Sequence, residues 1–232
     1  MDGRRREFLA RVVAECEPGR GGWARSVCVA CAGAVAGVDG AALTLRSASS
    51  RAEEVLGASD PWAAGLEEIQ YTLGEGPAVE AFAVGRPVLV ADVRREQVRW
   101  PGFADAGTAA GVAAVFAFPL RVGDIALGTL DLYRRRPGGL SADAEADAAA
   151  LAHLVTLTLL THVERAGDDE LHRVISYQDV NMATGMLAAQ LRISLEDAFA
   201  RLRAHAFAAN RSVLAVARDV LARRIPLDRL AG

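Results

Sequence analysis

The spacing of apolar positions changes several times along the chain. From about Arg25 to Ala36 apolar residues recur at helical spacing, and Gly37 and Gly40 end the run. Ala41–Arg46 (AALTLR) alternates, which predicts a strand with one buried face, and a loop with Ser47, Ser49 and Ser50 leads to a short strand near Val55–Ala58. Asp60-Pro61-Trp62 opens a turn or a helix. Glu67–Leu73 runs into Gly74-Glu75-Gly76-Pro77, where Pro77 fits the first position of a helix continuing through Ala78–Val84. Gly85-Arg86-Pro87 breaks that helix and Val88–Ala91 follows as a strand. After Asp92 the pattern reads as a polar, aromatic loop holding Trp100, Pro101 and Phe103. Ala113–Leu120 is a strongly apolar strand, Gly123-Asp124 a hairpin signal, and Ile125–Tyr133 (IALGTLDLY) the returning strand. Residues 1–20 read as a short helix closed by Pro18-Gly19.

Beyond Tyr133 the period is helical. Ser141 caps a helix from about Ala142 to Arg165, with Leu151, Leu154, Thr158, His162 and Arg165 at spacings of three and four and Leu157, Leu159 and Leu160 widening the stripe. A helix this apolar must be buried against the sheet or against a second copy of itself, which predicts a dimer through this region. Gly167-Asp168-Asp169 is a break. A first C-terminal helix spans about Glu170 to Arg192, with Val180, Ala183, Leu187 and Leu191 as its apolar stripe. Gln178, Asn181, Gly185, Ala188 and Ala189 form a small, polar flank. Gly185 inside a helix costs about 1 kcal/mol relative to Ala, so a close approach of another backbone or a ligand is expected there. Ser194 opens a second helix, to about Phe207, with Leu195, Ala198, Phe199, Leu202 and Ala206 as its buried face. Ser212 opens a third, with Val213, Val216, Ala217 and Val220 inward, stopped by Pro226. The fold class is therefore α+β: an antiparallel sheet with flanking helices, linked by a long helix to a three-helix bundle, with domains at 1–165 and 166–232.

Composition narrows the function. With 232 residues, 52% apolar and 24% charged, the chain suits two soluble domains. The net charge is −3 and every basic residue is arginine, so any phosphate contact comes from Arg, backbone or neutral polar groups. From Leu191 onward eight arginines face four acids; a solvated helical surface explains that as well as a nucleic acid does. Cys16, Cys28 and Cys31 form no even framework, and Cys28-x-x-Cys31 lacks two further metal ligands, so buried apolar cysteines are the expectation. No catalytic motif is present, and Glu53-Glu54 and Glu67-Glu68 read as solvated surface charge. No enzyme activity, metal or cofactor is expected. The N-terminus carries no signal-peptide pattern and Ala148–Leu160 is too short to span a bilayer, which points to a cytoplasmic protein.

Two resemblances sharpen this. The ordered set Gly74-Glu75-Gly76-Pro77, Arg86-Pro87-Val88, Asp92, Phe118–Leu120 and IALGTLDLY resembles a GAF domain over roughly residues 20–165. That implies a six-stranded antiparallel sheet with helices packed on it, a regulatory role and a small-molecule pocket. Trp62, Tyr71, Trp100, Phe103, Phe116 and Phe118 are its candidate lining, the alternative being that these rings fill the core. The cysteines lie in the N-terminal helices and the four histidines outside the expected pocket, which argues against a bilin or haem. Tyr177–Arg224 resembles an ANTAR domain, through Ala183-x-Gly185-x-Leu187, the Ser194 turn, Ala198-x-x-x-Leu202-Arg203, Asn210-Arg211 and Val216-Ala217-x-x-Val220. A GAF domain followed by ANTAR is an order familiar in actinobacteria. The resemblance implies an antiterminator that binds paired stem-loops in nascent leader RNA, usually as a homodimer. Gln178, Asn181, Thr184, Gly185, Arg192, Arg203, Asn210, Arg211 and Arg218 are its expected RNA contacts. Thr184 stands where many family members have Lys. A DNA-binding regulator of helix-turn-helix type, or a protein-interaction module, stays open as an alternative.

Overall fold

The computed structural model describes residues 22–46, 53–123, 125–166, 178–209 and 211–230. Helix α1 (Trp23–Ala34) leads to β1 (Gly40–Arg46), β2 (Glu53–Ala58), α2 (Pro61–Leu73), α3 (Pro77–Val84) and β3 (Val88–Val90). A 3-10 turn at Val93–Arg95 precedes α4 (Pro101–Ala109), the hairpin β4 (Ala114–Val122) and β5 (Ile125–Arg134), and the long helix α5 (Ala142–Ala166). The C-terminal part is α6 (Gln178–Leu191), α7 (Leu195–Ala208), α8 (Val213–Leu221) and a 3-10 turn at Leu227–Leu230.

The strands form one antiparallel sheet in the order β2-β1-β5-β4-β3. It has five strands among the described residues, against the six that the resemblance implies. Strand alternation gives the sheet two faces. Leu43, Phe116, Phe118, Leu120, Leu130 and Leu132 point to one side, where α1 and α5 cover them. Helix α5 buries Ala144, Ala148, Leu151, Ala152, Val155 and Leu159, a stripe at spacings of three and four. His153 and Leu157 face outward. The expected stripe through Leu154 and Thr158 is thus displaced around the helix: alanines at 144, 148 and 152 let α5 lie close to the sheet. Ala42, Val115, Ala117 and Tyr133 point to the other side, under α2, α3 and α4.

Central register is held where two backbones nearly touch. Gly128 on β5 stands opposite Leu45 and Leu120, and a Cβ there would lie 1.9 Å from the Thr44 carbonyl oxygen. No side chain fits, which accounts for a glycine in the middle of a buried strand.

The polar, aromatic stretch after Asp92 is not a loop. Pro101 starts α4 and Phe103, Ala104 and Gly107 bury one face of it against the sheet. The Glu75 carboxylate accepts from the Phe103 N–H at 2.9 Å and so caps the helix from a distant turn. Gly102 and Gly107 lower helix propensity and hide the period in the sequence. Helix α8 ends at Leu221, before Pro226, in a turn that puts Arg223 at φ +57°. The expected N-terminal helix, the Gly167-Asp168-Asp169 break and the start of the first C-terminal helix lie outside the described residues. Among the described residues no helix is long and apolar enough to cross a membrane.

Gly128→Ala is expected to destabilise the sheet by at least 1–3 kcal/mol, the usual range for overpacking, because the obstructing atom is backbone. Urea unfolding measures this; a midpoint unchanged from wild type would contradict the close approach at Thr44.

Candidate functional site

The C-terminal bundle is built from short, well-capped helices. The Ser194 hydroxyl accepts from the Asp197 N–H at 3.0 Å and that of Ser212 from the Ala215 N–H at 3.1 Å, each satisfying an orphan donor. Val180, Ala183 and Leu187 of α6, Ala198, Leu202 and Ala206 of α7, and Val213, Val216, Ala217 and Val220 of α8 form one core. Leu195, read from the sequence as part of the buried face, is instead exposed in the first turn of α7.

The structure places the expected nucleic-acid contacts in different settings. Asn181 is exposed and Gly185 half-buried on the outer face of α6, and a Cβ at Gly185 would meet nothing within 4 Å. No part of the described chain approaches this glycine. Thr184 turns the other way: it is buried, and its hydroxyl donates to the Val180 carbonyl at 2.7 Å. Arg192 is exposed and follows α6 in the left-handed region, φ +54°. Arg218 pairs with Asp179 at 3.0 Å, and Arg211 with Asp219 at 2.7 Å. Asp219 also takes Arg224 at 2.9 Å, and these guanidiniums, Arg211 foremost, hold its carboxyl below the usual range. The Gln178 side chain and Asn210 lie outside the described residues.

Arg203 is drawn away from this surface. Its Nε donates to the carbonyl of Thr72 at 2.9 Å, in the last turn of α2. A guanidinium suits that position, since the final carbonyls of a helix have no intrahelical donor and carry the negative end of its dipole. The Thr72 hydroxyl accepts from the Val213 N–H at 3.2 Å, and Tyr71 packs on Phe199 with ring centroids 5.6 Å apart. Gly74 caps α2 at φ +66°, and a Cβ on it would fall 1.8 Å from a guanidinium nitrogen of Arg203. On either side of the exposed Phe207 the seam leaves clefts of about 440 and 560 Å³, both bordered by Thr72, Leu73 and Gly102.

The other side of α2 enters the sheet. Glu67 is fully buried; it accepts from the Thr44 hydroxyl at 2.9 Å and from the Tyr133 hydroxyl. Gln70 donates to the Tyr133 oxygen at 3.0 Å and accepts from the Ala78 N–H at 2.9 Å. Asp131, also fully buried, accepts from Thr129 at 2.7 Å through one oxygen, while the other has no hydrogen-bond partner. Burial, then the negative charge of Glu67, pushes the Asp131 carboxyl well above the ordinary carboxylate range. Burial and Glu67 likewise raise the Tyr133 phenol. Reading Glu67 as solvated surface charge is corrected by this network. A signal was available in β5, where Thr129, Asp131 and Tyr133 alternate with Leu130 and Leu132 and so give the strand one polar face.

The six aromatic residues named as candidate lining are not brought together; they fill the cores, the alternative reading. Trp62, Trp100 and Phe103 pack under α2 and α4, Phe116 and Phe118 on the opposite face of the sheet, and Tyr71 in the C-terminal core. Strand alternation separates Phe116 and Phe118 from Tyr133 across the sheet. Trp62 packs edge-on to Tyr133 at 6.1 Å and donates to the Ala110 carbonyl at 2.8 Å. Cys28 and Cys31 are buried on the inner face of α1, as expected, and burial pushes the Cys31 thiol up to about 12. Among the described residues no group of His, Cys, Asp and Glu is arranged to hold a metal ion.

A five-stranded antiparallel sheet with helices on both faces is followed, among the described residues, by a small helical bundle. The chain belongs to the GAF-domain family: the GAF domain profile matches residues 25–159, and the ANTAR domain profile matches residues 173–221. Among solved structures the chain is similar to the GAF domain of an Acinetobacter phosphoenolpyruvate-protein phosphotransferase, at 15% identity over 73% of this chain and 99% of that one, TM-score 0.53. The corresponding GAF domain from Coxiella burnetii gives 15% identity over 69% and 95%, TM-score 0.53. A free methionine-R-sulfoxide reductase from Neisseria meningitidis gives 15% over 70% and 92%, TM-score 0.51. At these identities the likeness establishes the fold. No curated protein matches the chain at a significant level. The chain thus couples a sensor domain to a domain of the RNA-binding antitermination class.

The buried carboxyl of Asp131 has a testable pH signature. A carboxyl whose value is raised on folding contributes stability that is fully present below its unfolded value, about 3.9, and is lost as pH rises through the folded one. Asp131→Asn does not titrate. The stability of wild type is therefore expected to fall more steeply from pH 5 to pH 8 than that of Asp131→Asn, by urea midpoints. Parallel pH dependences would show that Asp131 titrates normally.

Proposed function

We propose that the protein is a transcription antitermination regulator whose C-terminal domain binds stem-loops in nascent leader transcripts under control of the GAF domain. The observation that carries this is the outer face of α6. Its midpoint, Gly185, has an open Cβ position and costs about 1 kcal/mol of helix stability that no contact in the described chain offsets. Asn181 is exposed beside it, and Arg192 and Arg218 are exposed on the same bundle. An incoming nucleic-acid backbone can come close at the glycine and meet hydrogen-bonding and cationic groups around it. The surface ion pairs of Arg211 and Arg218 are of the weak, solvent-screened kind that a phosphate can replace. Thr184, turned inward, acts in this reading through helix packing and not as a contact. Arg203 contacts RNA only when it leaves Thr72.

The same reading makes the protein a cytoplasmic homodimer with domains at 1–165 and 166–232, and gives it no catalytic role. A small molecule is the proposed input. The cleft of about 560 Å³ between α2 and α4 beside Phe207 offers room for one.

Crosslinking in cells and sequencing of the bound RNA tests the proposal; paired hairpins upstream of terminators are the expected yield. In gel shifts, leader RNA is expected to outcompete duplex DNA, and a preference for duplex would favour the DNA-binding alternative. Arg192→Gln and Arg218→Gln are each expected to weaken RNA binding and to lower the slope of log K against log[salt] by about 1, as for loss of one phosphate contact. An unchanged slope in both removes these arginines from the interface.

A further inference from the structure

Thr72 of the sensor domain holds two different groups of the C-terminal bundle. Its carbonyl takes the Nε–H of Arg203 and its hydroxyl takes the N–H of Val213, the first residue of α8. Both are groups that would otherwise face an anion: a guanidinium, and an N–H that a helix cannot satisfy internally. Tyr71, next to it, is buried in the bundle's own hydrophobic core together with Leu202, Val213 and Val216. The fit at Gly74 is close enough that one methyl group would displace the Arg203 guanidinium. While the bundle sits on α2, Arg203 is half-buried and its Nε–H is committed to Thr72.

The sensor side of the same helix carries Glu67 and Gln70, which are tied into the sheet through Thr44, Tyr133 and Ala78. Residues 67 and 70 face the sheet and residues 71 and 72 the bundle, so both sets of contacts come from six consecutive residues that include the last turn of the helix. A change on the sheet side that shifts this turn moves the Thr72 carbonyl and hydroxyl with it.

We infer that the C-terminal domain is held in a state of reduced RNA affinity by its own sensor domain. The last turn of α2 occupies the Arg203–Val213 side of the bundle, and RNA and α2 compete for that side. This rests on the RNA-binding reading above. If the docked form dominates, the apparent RNA affinity of the intact chain is reduced by the fraction undocked, so a chain undocked about one time in ten binds about tenfold more weakly than the free bundle. Substitutions confined to the sensor domain then tighten RNA binding, although they touch no RNA contact.

Two variants of the full chain separate the possibilities. Thr72→Val keeps the size of the side chain and removes the acceptor for Val213; Gly74→Ala places a methyl group where Arg203 now lies. Amide exchange at Val213 reports docking, exchange in β4 and β5 reports that the sensor domain stays folded, and a synthetic RNA pool of two adjacent stem-loops with randomised loops is the binding probe. The expected result is faster exchange at Val213, unchanged protection in β4 and β5, and about tenfold tighter RNA binding in both variants. In wild type, saturating RNA should itself speed exchange at Val213. Masking is overturned, with RNA binding intact, if Val213 exchanges faster while RNA affinity stays at the wild-type value, or if wild type binds RNA with Val213 still protected. If the undocked variants retain no RNA at any concentration, the RNA-binding function falls and the lock with it.

Discussion

A carboxyl group without exposed surface has to be hydrogen-bonded where it stands, and Glu67 sets the position of α2 on that ground. Removing a buried charge-bearing group from water costs several kcal/mol unless its lone pairs are met. Thr44 of β1 and Tyr133 of β5 meet them, so the helix is fixed against two strands that are neighbours in the sheet. Gln70 extends the same attachment to the start of α3 through Ala78. With the inner face of α2 held in this way, the direction of its last turn is settled, and that turn is where the C-terminal bundle makes its contacts. The geometry of the seam follows from a polar network buried on the far side of one helix.

This arrangement explains why a single glycine and a single threonine matter out of proportion to their size. Gly74 ends α2 in the left-handed region and leaves room for the Arg203 guanidinium. Thr72 offers its carbonyl because it lies in the last turn, where backbone acceptors are spare. Neither residue would attract attention as a binding group in isolation. Their importance comes from the place at which a helix stops.

Much of the architecture was legible in the residues. Alternation in Ala41–Arg46 and Ile125–Tyr133, Pro77 at a helix start, and serines at 141, 194 and 212 each fix one element by a local rule, and local rules are what a sequence states directly. The candidate cavity was not legible. Phe116 and Phe118 look like pocket rings by type, yet strand parity sends them to the α5 side. Glu67 looks like surface charge beside Glu68, yet helical spacing places it over Thr44 and Tyr133. The α4 helix escaped notice because two glycines dilute its pattern and its cap, Glu75, is supplied from a distant turn. The contact of Arg203 with Thr72 joins residues 131 positions apart and has no local signature at all.

The left-handed arginines at 192 and 223 have a meaning for anyone who would make the bundle more robust. Glycine or asparagine adopts that backbone more cheaply than arginine, which bears a cost on the order of 1 kcal/mol there. Consensus-style thermostabilisation would single out both sites first, since each removes strain without disturbing the core. At position 192 such a change would also remove an exposed cation at the end of α6. A heat-tolerant derivative of the bundle would take glycine at position 223 first, where backbone strain is relieved and only a solvent-exposed side chain is lost.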